Sequence, residues 1–345
     1  MVETTTSTAA MADPEFDPTF TSIATPIGIY PPAAVPLPAL STQGAYVLTP
    51  DSVAVGMHGV NVVGFDTLQS TSAARSTLGL DDVSLAVLQQ LWHFNVVRLP
   101  VQAQTILQGN GSLNSDDVLN VLTEIVEAAA QAGLYTLLAI EAVPGIPVQL
   151  PDAATIQALQ KLAGSYSSST ALLYEIFATA ESLSSSWVET APSLIAAIRS
   201  QSPAALIFVN SGNGGFDMTQ LPLLSPIGEA IFGIVYTINL GGDFPTPDVN
   251  LLANLAGRCP VCATQWTSDD GPISAYHADL LGRNGIHWIA SNWNADPLLA
   301  NDVVAHDYSA TSWGMLAIRA ALYPLRPFLL PFGRTVSKEP EVVAC

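Results

Sequence analysis

Carboxyl groups follow several short apolar runs of this sequence, where a fold can bring them together. Glu141, Glu181 and Asp243 lie at or shortly after the ends of such runs. Two carboxyl groups held close together can act as a general acid and a nucleophile. Whether any pair lies that close depends on the elements that carry them.

The histidines do not form a metal-binding pattern. They are scattered, and no pair has the spacing His-x-x-x-His that places two ligands on one helix face: His58, His93, His277, His287 and His306. The acidic stretch at residues 268–271 can hold a cation, but a turn is its commoner meaning. We therefore expect no metal and no cofactor.

Three cysteines give no disulfide framework, because their number is odd. Cys259 and Cys262 have the spacing of a redox motif, but that motif belongs at a helix N-terminus in a small βαβ domain. Here the pair enters an apolar strand. We favour two structural thiols or a local disulfide between them, and Cys345 stands apart.

Between the Pro-rich start and the C-terminal tail, strand-like and helix-like segments alternate. The predicted strands are nearly continuous apolar runs, as expected of buried parallel strands: 58–65, 95–101, 134–140, 172–177, 206–209, 233–238, 261–264 and 286–290. Predicted helices lie between them: 81–94, 115–132, 152–163, 188–200, 248–256, 273–281 and 312–322. For the helix at 115–132 we expect Ser115 as the N-terminal cap and Gly133 as the stop.

Eight strands that alternate with helices predict an α/β protein, a (β/α)8 TIM barrel. A doubly wound open sheet is the second possibility. It would require a glycine-rich phosphate loop after an early strand, whereas the richest glycine loop, at residues 211–215, comes late. In a barrel, chemistry lies at the carboxyl ends of the strands.

Several strand ends resemble the cellulase-like family 5 of glycoside hydrolases. GVNVVGFD at 59–66 resembles that family's first strand, and NVVRLPV at 95–101 its second. LLYEIF at 172–177 is similar to the approach to its acid/base, and PVCATQW at 260–266 to its seventh strand. IHWIA at 286–290 resembles the eighth strand. The resemblance covers residues 46–325 and implies a retaining β-glycoside hydrolase.

The two catalytic carboxylates that this resemblance implies are replaced. Ala178-Thr179-Ala180 stands where the family has Asn-Glu-Pro, so Thr179 holds the acid/base position. Gln265 holds the position of the nucleophile at the end of strand seven. Neither a threonine hydroxyl nor an amide supplies the acid or the nucleophile that the reaction needs.

Supporting positions of the family have changed as well. The usual histidine of strand three is Glu141, that of strand six is Asn239, and the tryptophan of strand eight is Ser291. We interpret the chain as a degenerate member without catalytic residues, acting in carbohydrate binding or as a structural, assembly protein. An active enzyme with displaced carboxylates, Glu141 and Glu181, is the competing interpretation.

The residues expected to bind a ligand lie at the strand ends: Asn61, Arg98, Tyr236, Asn239, Trp266 and Trp293. Arg98 supports the nucleophile in the family. With Gln265 in place, we favour a structural arginine paired with Glu141 or Glu181, because a buried guanidinium needs a partner. Aromatic residues such as Trp266 can either stack on sugar rings or pack the top of the barrel.

Charge excludes some classes of partner. There are 29 Asp and Glu residues against 10 Lys and Arg, a net charge of −19, which repels nucleic acid and anionic membranes. Only 11% of the residues are charged, which favours contacts with other proteins or copies of the chain through apolar surface.

We predict three regions: an extended, flexible N-terminal arm at 1–45, the barrel at 46–330 and a C-terminal tail at 331–345. The arm contains Pro31, Pro32, Pro36 and Pro38 and can take part in protein contacts. No membrane span and no signal peptide are visible, and an extracellular or surface-associated location is favoured.

Overall fold

A closed barrel of eight parallel strands forms the centre of the protein in the computed structural model. The structure describes residues 36–141, 150–178, 184–219, 221–223, 232–242, 247–268 and 271–322. Residues 1–35 of the arm predicted at 1–45, and the whole tail predicted at 331–345, lie outside these residues. Around the barrel the strand order follows the chain, and the last strand pairs with the first. This arrangement confirms the predicted (β/α)8 barrel and excludes the doubly wound open sheet.

The strands are numbered in chain order, and the barrel strands are β3 to β10. Their bounds are His58–Asn61 (β3), Val96–Gln102 (β4), Tyr135–Glu141 (β5), Leu172–Ile176 (β6), Ile207–Asn210 (β7), Ile234–Leu240 (β8), Val261–Trp266 (β9) and His287–Ala290 (β10). All eight were expected. The first is shorter than predicted, because a 3₁₀ helix at Phe65–Thr67 follows it.

The described helices are Ala74–Thr77 (α1), Asp82–Ala86 (α2), Ala103–Gln108 (α3), Ser115–Gln131 (α4), Ala153–Ser165 (α5), Ser184–Arg199 (α6), Gly212–Gly215 (α7), Val249–Ala256 (α8), Gly271–Asn284 (α9) and Ser312–Leu322 (α10). The helix predicted at 81–94 changes into a π-helical turn at Val87–Leu91. The expected cap Ser115 is wrong: Asn114 accepts from the N–H groups of Asp116 and Asp117, while the Ser115 hydroxyl donates to the carbonyl of Ile106.

Two antiparallel hairpins were not predicted. The first pairs Ser41–Gln43 (β1) with Tyr46–Leu48 (β2) and spans the arm boundary placed at residue 45. Its Val47 and the preceding Leu40 are buried together with residues from the amino-terminal end of the barrel, such as Val96. The hairpin therefore closes that end. The second pairs Ala300–Asp302 (β11) with Asp307–Ala310 (β12).

The interior of the barrel is apolar in its lower part and polar towards the carboxyl ends of the strands. Side chains of alternate residues in each strand point inward, and the lower interior is apolar, with Leu137, Leu173, Phe208, Val235 and Ile289 buried in one cluster. Two residues further along several strands, the inward positions become polar. That polar layer lies next to the carboxyl ends of the strands, which is the mouth of the barrel.

The structure corrects the expectation of two thiols or a local disulfide at Cys259 and Cys262. Cys262 is a free, buried thiol inside the barrel, whereas Cys259 is disulfide-bonded. A local disulfide between the two is therefore excluded. Among the described residues, none of the helices is long and apolar enough to cross a membrane.

Candidate functional site

A buried ion pair joins two barrel strands below the mouth. Arg98 on β4 and Glu175 on β6 are almost fully buried, and Nε of the guanidinium donates to Oε2 of the carboxylate at 2.6 Å. Burial alone lowers the pKa of Arg98, but Glu175 and Glu141 more than offset that effect and raise it. The arginine is therefore a fixed cation.

Asn61 ties the first strand to the same arginine. Its Oδ1 accepts from Nη1 of Arg98 at 2.6 Å, and its Nδ2 donates to the carbonyl of Thr264 at 2.9 Å and to Oγ of Ser291 at 2.8 Å. The hydroxyl of Thr264 donates to the other oxygen of Glu175 at 2.9 Å. Five strand ends thus form one hydrogen-bonded group, which fixes the shape of this half of the mouth.

Glu141 reaches the mouth at the end of β5. Its side chain is 28% exposed, and Oε1 lies 3.6 Å from Nη2 of Arg98, too far for a hydrogen bond. Burial raises the pKa of Glu141; Arg98 opposes the shift, while Glu175 and Asp66 add to it. Burial also raises the pKa of Asp66, which accepts from the backbone N–H of Gln102. Glu141 is thus a carboxyl group that holds its proton to higher pH than usual.

Gln265 lies near the carboxyl end of β9, opposite Asn239 of β8. It is partly exposed, and its amide forms no hydrogen bond with any side chain or backbone group in the part of the chain that the structure describes. It is therefore available at the mouth as a neutral donor and acceptor. Thr179 and Glu181 lie outside the described residues, so their roles remain predictions.

Asn239 is buried, and it is held by the loop after β7. Its Nδ2 donates to the carbonyl of Gly214 at 2.8 Å, and Gly215 packs so closely that a Cβ there would lie 2.8 Å from the same nitrogen. Among the described residues, its Oδ1 has no hydrogen-bond partner, and neither has Oγ1 of Thr237 on the same strand. On this side of the mouth two oxygen atoms can still accept a hydrogen bond, whereas the side-chain oxygens of Asn61 and Glu175 already accept one each.

The aromatic candidates lie in the packed layers of the protein. Trp266 is fully buried and contacts Trp288 and Trp313 edge to face. Trp293 is fully buried, and its indole N–H donates to the carbonyl of Gly79 at 2.7 Å. Tyr236 is buried too, and its hydroxyl accepts from the N–H of Leu223. In this arrangement none of these three rings presents a face to a ligand.

Two residues of the site were missed from sequence. Glu175 and Thr264 complete the Arg98 group, but only Glu141 and Glu181 had been considered as partners for the arginine. The sequence does indicate a paired role for Glu175, because a glutamate inside an apolar strand is almost never buried unless it is paired. No group of three or more His, Cys, Asp or Glu side chains suited to a metal ion occurs among the described residues.

A comparison with protein families gives a match to cellulase, glycosyl hydrolase family 5, over residues 58–238, more than half of the chain. The chain belongs to glycoside hydrolase family 5. The match begins with β3 and ends within β8, so it includes Asn61, Arg98, Glu141 and Glu175. No curated protein sequence matches this family 5 chain.

Solved structures of endoglucanases share its fold. The catalytic domain of a Thermobifida fusca endoglucanase, in complex with cellotetraose, is 17% identical with a TM-score of 0.67, covering 82% of this chain and 97% of that one. A beta-glucanase from Saccharophagus degradans, also with cellotetraose, is 17% identical with a TM-score of 0.64, covering 84% and 94%. At these identities the likeness shows the barrel fold and no more.

Proposed function

We propose that this family 5 barrel binds a carbohydrate at its mouth without hydrolysing it. The observation that carries the proposal is Gln265, a neutral amide at the end of the seventh barrel strand, where the family carries its nucleophile. An amide oxygen does not form the glycosyl-enzyme intermediate that a carboxylate forms. Thr179 at the acid/base position would remove the second required group.

The state of Arg98 supports the same conclusion. Its Nε and Nη1 are already bound to Glu175 and Asn61. In the family, the corresponding arginine supports the nucleophile, and here it holds a structural carboxylate below the mouth. The guanidinium therefore stabilises the barrel interior, and its charge is balanced whether or not a ligand is bound.

Ligand binding is supported by the groups that remain. Oδ1 of Asn239 is a buried acceptor that finds no partner in the part of the chain that the structure describes, and such a group costs about 1–3 kcal/mol unless a ligand or water donates to it. Gln265 and Glu141 add a partly exposed amide and carboxyl group. Hydroxyl groups of a neutral sugar can donate to Gln265 and Glu141, which are partly exposed, whereas Oδ1 of Asn239 is fully buried and would be reached through a bridging water. Cellotetraose in two related barrels makes β-linked gluco-oligosaccharides the class to test first.

Calorimetric titration with cellotetraose tests this function. We expect binding without turnover, weakened at least tenfold by Gln265→Ala, which removes both hydrogen-bonding groups of the amide. Gln201→Ala, an exposed glutamine outside the mouth, serves as the matched control and should bind as the parent does. Absence of binding to cello-oligosaccharides, mixed-linkage glucans and mannans would contradict a carbohydrate-binding role and leave assembly, tested by light scattering, as the remaining function.

One observation favours the competing hydrolase. Glu141 is partly exposed at the mouth, and its raised pKa is the property of a general acid. A displaced pair would use Glu141 and a second carboxylate such as Glu181. In that case Glu141→Gln would abolish a turnover that the parent protein displays.

A further inference from the structure

The loop between α3 and α4 contains the only Asn-x-Ser/Thr sequence of the chain, Asn110-Gly111-Ser112. This is the acceptor pattern for an N-linked oligosaccharide, and in folded proteins it is used on surface loops. Gly111 and Ser112 are exposed, and Asn110 is partly exposed. The sequence thus lies where a transferase and a bulky glycan have access.

Hydrogen bonds hold the amide of Asn110 in place within the loop. Its Oδ1 accepts from the backbone N–H groups of Ser112 at 3.1 Å and Leu113 at 2.8 Å, which folds the serine back over the asparagine. Gly111 has φ of 90°, and no atom lies within 4 Å of the position where its Cβ would be. The outer side of this turn is therefore open.

The nitrogen of Asn110 keeps one hydrogen for the reaction. Nδ2 donates to the carbonyl of Leu68 at 2.8 Å, and a primary amide has two N–H groups. An N-linked glycan replaces one of them, so the bond to Leu68 can persist in the modified protein. The modification is thus compatible with the folded loop.

The loop that carries Asn110 lies near the mouth of the barrel. Asn110 contacts the segment after β3, where Leu68 and Gln69 follow the strand, and Ser112 donates to the side chain of Gln69 at 2.7 Å. α3 follows the carboxyl end of β4 directly. A glycan at this site would stand on the rim of the barrel, on the side of Asp66 and Gln102.

We propose that Asn110 is an N-glycosylation site when the chain passes through a secretory compartment. The donor is a polyprenyl diphosphate oligosaccharide. Nδ2 of Asn110 attacks the anomeric carbon, the C–N bond forms, the C–O bond to the diphosphate breaks, and the nitrogen loses one proton to solvent. The disulfide at Cys259 is an independent sign of an oxidising compartment. This inference does not depend on carbohydrate binding at the mouth.

The test is mass spectrometry of the full chain, directed into the secretory pathway of eukaryotic cells by a fused signal peptide and secreted by them, with and without peptide N-glycosidase in heavy-oxygen water. We expect a glycan mass on the peptide that contains Asn110, and labelled aspartate at that position after the enzyme. Ser112→Ala should abolish the modification while keeping Asn110 and its turn, and Ser112→Thr should retain it. Secreted, folded protein with unmodified Asn110 would overturn the proposal, as would a glycan that persists in Ser112→Ala.

Discussion

Arg98 and Glu175 form an ion pair inside the barrel, with 2.6 Å between Nε and Oε2 and with both side chains almost inaccessible to solvent. Removal of Glu175 leaves the buried Arg98 charge with only the more distant carboxyl group of Glu141, and breaking a buried pair in this way costs about 3–5 kcal/mol. We expect Glu175→Gln to lower the free energy of unfolding by that amount in urea denaturation. Asp279→Asn, which breaks the exposed pair with Arg283, should cost less than about 1 kcal/mol. Equal effects of the two variants would show that Glu175 is not the structural partner of Arg98.

Two buried histidines predict sensitivity to acid. Burial lowers the pKa of His287 to about 3, with a smaller effect of His58, and burial lowers that of His58 to about 4. Both are neutral in the fold, while in the unfolded chain they bind protons as the pH falls below about 6.5. Their contribution to stability is therefore complete above pH 6.5 and is lost as the pH falls towards 4 and 3.

The His287 contribution can be measured by urea denaturation between pH 7 and 4. The parent protein should lose up to ~3 kcal/mol through this residue over that interval. His287→Asn, which keeps an acceptor for the N–H of Met57, should show a flatter pH dependence. Gln201→Asn, at an exposed position without a titrating group, should leave the slope unchanged. A slope that stays the same in His287→Asn would be inconsistent with a neutral buried histidine.

Asp81 links the start of α2 to the hairpin of β11 and β12. Its Oδ1 accepts from the N–H of Ser84 at 2.9 Å, and its Oδ2 lies 2.7 Å from Nε2 of His306. Burial raises the pKa of Asp81, but Ser84 and His306 outweigh this and lower it. The carboxylate therefore contributes stability above its ordinary pKa, and this is lost as the pH falls through the lowered value.

Substitutions separate the two roles of Asp81. Asp81→Asn keeps an N-cap acceptor and loses the charge, whereas Asp81→Ala loses both. We expect alanine to cost about 1 kcal/mol more than asparagine at neutral pH, measured by thermal or urea unfolding. Identical costs would mean that the N-cap bond to Ser84 contributes nothing.

Cys262 should be unreactive in the native protein. Burial raises the pKa of its thiol, and the thiolate is the form that attacks thiol reagents. A chromogenic disulfide reagent should therefore leave Cys262 unmodified until denaturant unfolds the barrel, and the signal that appears on unfolding should be absent from Cys262→Ala. Rapid labelling of native Cys262 would contradict its place inside the barrel.

The barrel could be predicted from sequence because eight apolar runs with helical segments between them leave few folds to consider. The aromatic candidates could not be placed, since residues on both faces of a parallel strand are apolar, and Trp266 gives no sign of which face it is on. The hairpin at Ser41–Leu48 was missed because strands of three residues carry too little pattern.

The polar layer was only partly predictable. The resemblance to the strand ends of family 5 predicts Asn61 and Arg98 as site residues. Glu175 is predicted only as part of a strand and not as a residue of the site. Its partner Arg98 is 77 residues away in sequence. The folded barrel brings both side chains to the same interior layer, and its closure places Thr264 of β9 within hydrogen-bonding distance of Glu175.

The most direct test of the proposed function is release of product from aryl β-cellobiosides and soluble β-glucans by the purified protein. The absence of a carboxylate at Gln265 predicts no turnover above the buffer rate across pH 4–8, and no further loss in Glu141→Gln or Glu181→Gln. Turnover by the parent protein that either of these two substitutions abolishes would contradict the account and assign the chain a rebuilt catalytic site.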